Sequence, residues 1–286
     1  MMLATNIAAH WNLRPVPGRR EWRGDCPACS YRGTLALAER NGRPLLHCFN
    51  CNDNDGLANL LRGAGVMPVA PDPTREAECR AKRQRTHDAM LRLWASGEPV
   101  HGTPAQLYLE GRNIGHLAAS PALRFRGDTP HPSGAHLPAM IALAVDVRGN
   151  PIGVHRHYVT RDGRKAAMEP AKATLGTVEG GCVRIGPYAP EIAIAEGVET
   201  AGAASVLLGL PCWAAVTCGN LKRRLALPSV VESVIIAADH DAPGIEAANA
   251  AARRWQAEGR AVRIALPDRL GEDFADVLMR REGGAV

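Results

Sequence analysis

Hydrophobic and polar positions divide the chain into regions of different rhythm. Beyond residue 190, short apolar runs alternate with helical stretches. Residues 192–195, 212–216, 234–238 and 261–266 read as strands, and 200–208 and 244–258 as helices. Gly209 and Gly259 stand where helix C-termini are expected. Strands alternating with helices predict a parallel sheet with right-handed crossovers. The middle of the chain reads differently. Residues 140–147 and 152–159 predict a hairpin, with turn chemistry at 146–151. Residues 74–97 predict a helix with Ala89, Leu91, Leu93 and Trp94 as apolar positions. Near the start, 34–39 and 44–47 predict a small antiparallel pair. The proline-rich run 66–73 reads as a semi-rigid linker. The expected organisation is therefore 1–65, a linker at 66–76, a mixed region at 77–189 and an α/β region at 190–286.

Composition narrows the picture. A length of 286 residues allows about two domains. A hydrophobic share of 46% supports a sizeable core, and with aromatics at 4% that core must be filled by Ala, Leu and Val. The formal charge of +5 permits a polyanionic partner without demanding one. No secretory pattern opens the chain, and no apolar run approaches the roughly 18 residues of a membrane span, so a cytoplasmic protein is expected. The basic stretch around Arg80, Lys82, Arg83 and Arg85 reads equally as a solvated helix face or a phosphate contact.

Four of the eight cysteines fall in two CxxC pairs, Cys26 with Cys29 and Cys48 with Cys51, separated by 18 residues. Each CxxC turn presents two sulfurs to one ion, and two such turns complete a tetrahedral zinc shell. A region this small buries little apolar surface, so the metal would supply folding energy. Four thiolates close the shell and leave His47 solvent-facing or outside it. Such a ribbon either binds single-stranded DNA or is purely structural. Cys79, Cys182, Cys212 and Cys218 lack partner spacing and read as small buried hydrophobes.

Acidic residues follow two of the predicted strands directly. Glu196 ends one; Asp239 and Asp241 end another, 43 positions later for Asp239. Ligands of open α/β sheets collect outside the carboxyl ends of the strands. Alternate residues of an extended segment face one side, so Asp239 and Asp241 make a hard-oxygen pair suited to Mg²⁺ or Mn²⁺. Gly197 and Gly244 are expected to permit close backbone approach. Glu199, Asp273 and Asp276 are further candidates, with helix-terminal roles as the plain alternative. His155 and His157 alternate on one strand and read as exposed side chains.

The run Glu196, Gly197, Val198, Glu199, Thr200 and the run 238–244 resemble the two signatures of the Toprim domain, shared by bacterial and phage primases, topoisomerases and some nucleases. The tail 271–276, the block 138–176 and the cysteine ribbon resemble the matching parts of phage- and plasmid-type DNA primases, so the resemblance spans nearly the whole chain. It implies an α/β fold, α+β overall: a small zinc ribbon, a mixed α+β middle region and a Toprim-like parallel sheet. It implies a DNA primase, a nucleotidyltransferase that makes short RNA primers. Glu196, Asp239 and Asp241 would hold Mg²⁺ or Mn²⁺. Lys165, Lys172 and Arg164, with Arg156 and Arg161 nearby, would grip nucleotide phosphates and template, unless they form only a charged surface hairpin. The implied partners are a single-stranded DNA template and nucleoside triphosphates. No GxxxxGK loop followed by Ser or Thr is present, so a helicase is expected to act as a separate protein. A Toprim nuclease, or a non-catalytic ribbon that binds DNA, remain the alternatives.

Overall fold

The structure, a computed structural model, describes residues 2–40, 43–49, 51, 53–63, 65 and 73–283. It divides into two compact units, Met1–Cys79 and Arg80–Val286. No helix among the described residues is long and apolar enough to cross a membrane.

The first unit opens with α1 (Met2–His10). An antiparallel sheet follows in the order β1 (Arg14–Pro15), β2 (Glu21–Gly24), β3 (Leu35–Arg40) and β4 (Arg43–Cys48), and α2 (Asn54–Gly63) comes next. The predicted pair is β3 with β4, in register Leu35↔Cys48 and Leu37↔Leu46. Its core is slight: Ala4, Ile7, Leu35, Leu37, Leu57 and Leu61 close around Cys26, Cys48 and Cys51. The expected linker residues 66–72 lie outside the described residues, and residues 73–76 belong to a helix instead. Pro73 opens α3 (Pro73–Ala95), because a missing N–H costs nothing in a first helical turn. Arg80, Lys82, Arg83 and Arg85 on α3 are solvent-exposed.

The second unit continues with α4 (Pro104–Glu110), a 3₁₀ turn (Gly115–Ala119), β5 (Leu123–Pro130), β6 (His136–Val145), β7 (Pro151–Tyr158), β8 (Lys172–Gly176) and β9 (Cys182–Arg184). Then come β10 (Glu191–Ala195), α5 (Val198–Leu208), β11 (Cys212–Ala214), α6 (Cys218–Arg223), β12 (Ser233–Ala237), α7 (Ala242–Ala257), β13 (Ala261–Ala265) and α8 (Phe274–Gly283). Among the described residues nine strands make one mixed sheet, ordered β13-β12-β10-β11-β9-β6-β7-β8, with β5 also on β6. Strands β11, β10, β12 and β13 run parallel, as expected. β9 turns the sheet antiparallel by pairing with β11 on one edge and β6 on the other.

Burial explains the unbroken apolar runs. Ala193, Ala195, Ile235 and Ala237 face a core shared with α5 and α8. Ile192, Ile194, Val234 and Ile236 face the opposite core with Trp255 and the alanines of α7. A strand covered on both faces has no polar side to show. The predicted 212–216 strand stops at Ala214, because Val216 enters the left-handed region (φ 72°) and its N–H turns to the Glu196 carbonyl at 2.8 Å. That conformation is strained for a β-branched side chain. Of the lone cysteines, Cys182 and Cys212 are buried as expected, whereas Cys79 is exposed and Cys218 half-buried.

Candidate active site and metal centre

The four paired cysteines form a candidate metal centre. Their sulfurs all lie within 4.8 Å of one another, with Cys26–Cys51 at 3.7 Å and Cys29–Cys48 at 3.8 Å. Zn–S bonds of about 2.3 Å in a tetrahedron place sulfurs about 3.8 Å apart, the spacing of these two pairs, so the set fits zinc. Burial pushes the Cys26 and Cys51 thiols up, so the thiolate form calls for a compensating cation. His47 is not part of this set: it is exposed and stacks edge-on against Phe49 at 4.6 Å.

The acidic residues gather where the parallel strands end. Glu196 leaves β10 and accepts a hydrogen bond from the Cys218 N–H at the start of α6. Burial, then the charge of Asp241, raises its carboxyl above the ordinary value. Asp239 leaves β12. Burial first, then the negative charges of Glu196, Asp273, Asp241 and Asp276, push its carboxyl up to about 7. Its Oδ1 is buried without a partner among the described residues. Asp241 caps α7, accepting from the Gly244 N–H at 2.7 Å. A Cβ on Gly244 would lie 2.5 Å from the Asp239 carbonyl, so that glycine is sterically required. Gly197 is not, since its nearest neighbour would be 3.5 Å away. Asp273 and Asp276 cap each other's backbone at 3.0 Å at the start of α8. Glu196, Asp239 and Asp241 do not close to the spacing of the cysteines; among the described residues only the cysteines form so tight a set. Even so, hard oxygens, mutual repulsion and an orphaned buried carboxylate oxygen together fit a divalent cation.

Glu196, Asp239 and Asp273 line a cavity of about 450 Å³, whereas Asp241 is not among its lining residues. Arg112, Lys165 and Lys172 line it as well. Of the three basic residues expected to contact nucleotide or template, Lys165 and Lys172 line this cavity. Arg164 does not: it is exposed and pairs with Asp162 at 2.6 Å within the 160–164 turn. Arg156 is buried and donates to the Pro130 carbonyl at 2.6 Å, while Arg161 is exposed.

The histidines overturn the sequence expectation. His157 is buried and His155 half-buried, their rings packed edge-to-face at 4.6 Å. Burial pushes both imidazoles below their ordinary value. Their burial is compensated by Glu199 and Thr174. His155 Nδ1 lies 2.9 Å from the Thr174 hydroxyl, and His157 Nδ1 lies 3.2 Å from Glu199. Glu199 also accepts from the Tyr108 hydroxyl at 2.6 Å and from Lys172 at 2.8 Å. Burial alone raises the Glu199 carboxyl, but His157 and Lys172 outweigh it and hold it well below the usual range. Tyr108 and Arg112 were missed because α4 is only seven residues long. The available signal was their i, i+4 spacing behind the Thr103 cap.

Comparison with known proteins follows this division. Residues 191–284 match the Toprim domain family, and residues 84–185 match a domain of unknown function (DUF7146). No curated protein matches. Among solved structures, the chain is similar to the zinc-binding and RNA polymerase domains of Aquifex aeolicus primase at 13% identity, covering 99% of this chain and 80% of that one, with a TM-score of 0.45. It is similar to the primase fragment of the bacteriophage T7 primase-helicase protein at 13% identity, covering 92% and 95%, with a TM-score of 0.44. It is also similar to a DnaG primase catalytic domain bound to single-stranded DNA at 18% identity, covering 71% and 79%, with a TM-score of 0.48. The chain thus carries a Toprim domain behind a four-cysteine, ribbon-like unit.

Proposed function

We propose that this chain is a DNA primase, joining nucleoside triphosphates into short RNA primers on single-stranded DNA. One observation carries the reading. Acids of a Toprim domain and basic residues from outside that domain line one and the same cavity. That is the charge pattern a metal-bound triphosphate requires. Glu196, Asp239 and Asp241 would hold Mg²⁺ or Mn²⁺, with Asp273 beside them. The ion, when bound, supplies positive charge to the triphosphate and the departing pyrophosphate. Lys165, Lys172 and Arg112 take the phosphate oxygens that face away from the acids. Arg164, turned toward Asp162, is left to contact the template outside the cavity. Catalysis rests mainly on positioning and charge stabilisation. The ribbon, holding zinc through Cys26, Cys29, Cys48 and Cys51, contributes a template contact, and a replicative helicase acts as a separate partner.

The test is primer synthesis from labelled nucleoside triphosphates on random single-stranded DNA with Mg²⁺. Short RNA is the expected product, abolished by Asp239→Ala. Metal-dependent cutting of DNA without added nucleotides, or no product from folded protein across varied templates, would refute the proposal.

A further inference from the structure

The chemistry above leaves the buried carboxylate of Glu199 without a task. It sits in the first turn of α5, 5% exposed, and three side chains converge on it. Tyr108 of α4 donates at 2.6 Å, His157 of β7 at 3.2 Å, and Lys172 of β8 reaches both oxygens at 2.8 and 2.9 Å. His157 and Lys172 are direct partners in the β7–β8 register, which is why both reach one carboxylate. A carboxylate offers about four lone-pair sites. Oε1 of Glu199 meets all three of its partners, and the Lys172 ammonium stands against both oxygens, so the carboxylate already carries a cation. Asp239, with an unpartnered oxygen, is the opposite case.

From this we infer that Glu199 is a positioning residue and not a metal ligand: it holds the Lys172 ammonium in the cavity wall and fixes His157 as the Nδ1–H tautomer. The ionised carboxylate only accepts, so the His157 proton must sit on Nδ1. Nε2 is then a bare lone pair, buried and without a partner among the described residues. Lys172 keeps 37% of its side chain exposed, so one flank of the ammonium is anchored while the other stays open. The inference rests on the primase reading only where it treats Lys172 as a phosphate grip.

The experiment uses the full chain with Glu199→Gln, Glu199→Asp, Glu196→Gln and Lys172→Met. Mn²⁺ binding, followed by electron paramagnetic resonance, should stay within about twofold of wild type in Glu199→Gln and fall at least about tenfold in Glu196→Gln. ATP binding with Mg²⁺ should weaken about tenfold in Glu199→Gln and in Lys172→Met, with little further loss in the double variant, because the two act as one unit. Glu199→Asp should recover part of the loss. Nitrogen-15 spectra of histidine should show a neutral Nδ1–H His157 in wild type and lose that signature in Glu199→Gln. Loss of Mn²⁺ binding in Glu199→Gln equal to that of Glu196→Gln overturns the inference, and so does unchanged ATP affinity with an unchanged His157 spectrum. If Lys172→Met alone leaves ATP binding intact, the phosphate grip of the primase reading fails, while the Mn²⁺ and imidazole results still decide on Glu199. Should Glu199→Gln not fold, the same measurements are read on Glu199→Asp.

Discussion

Replacing Asp239 by Asn should stabilise the magnesium-free protein while disabling its site. The carboxyl has an ordinary value of 3.8 and stands at about 7 in the folded chain, through burial and then the surrounding negative charges. A raised carboxyl binds its proton more tightly in the folded state than in the unfolded one. The associated stability is therefore fully present below about 4 and is lost as pH rises through about 7. Taken at face value, a shift of about three units corresponds to roughly 4 kcal/mol. The group is only partly buried, and solvent screening reduces this to about 1–2 kcal/mol. Asparagine keeps the shape and removes the charge. In magnesium-free buffer at pH 8 the variant should melt about 3–6 °C above wild type, for a unit of this size. At pH 4 the two should melt together. Adding Mg²⁺ at pH 8 should raise wild type and leave the variant unchanged. Equal destabilisation of the variant at both pH values would show that Asp239 is an ordinary structural carboxylate.

Other outcomes follow from the same geometry. Cys48→Ser, or zinc chelation, should unfold the first unit by circular dichroism and take bound zinc from one ion per chain to none, while the second unit keeps its melting transition; a ribbon that stays folded without zinc would contradict this. Gly244→Ala should abolish the Mg²⁺-induced thermal shift without removing any carboxylate, and cost about 1–3 kcal/mol in denaturant melts, because its Cβ would strike the Asp239 carbonyl. Arg112→Ala should raise the KM for nucleotide about tenfold with a smaller change in kcat in the primer assay. Trp255→Ala, at a fully buried site, should lower stability by about 3–5 kcal/mol in denaturant melts.

The sequence exposed what local chemistry determines. β10 and β12 were legible because both their faces are buried, which forces unbroken apolar runs, and their acids stand immediately beyond. The cysteine ribbon was legible because zinc geometry demands tight pairs. What stayed hidden depends on partners distant in the chain. His157 looks like an exposed strand residue until Glu199, 42 positions away, supplies its acceptor. Tyr108 meets the same carboxylate across 91 positions. Arg164 looked equivalent to Lys165, yet one position along a tight turn aims it at Asp162 instead of the cavity. β9, three residues long, is too short to carry a period of its own.

That short strand bears on how the protein can be taken apart. The two family matches meet between residues 185 and 191, where a junction would naturally be drawn for domain exchange or separate expression. β9 pairs with β6 through Val183 and Cys182 and with β11 through Arg184 and Val183. A cut in that interval strips β11 of its neighbour and leaves a raw sheet edge, a template for aggregation. Chimeras should therefore carry residues 84–284 as one piece, or bring a donor strand in the register of β9. Two sequence families are welded here into a single heritable object.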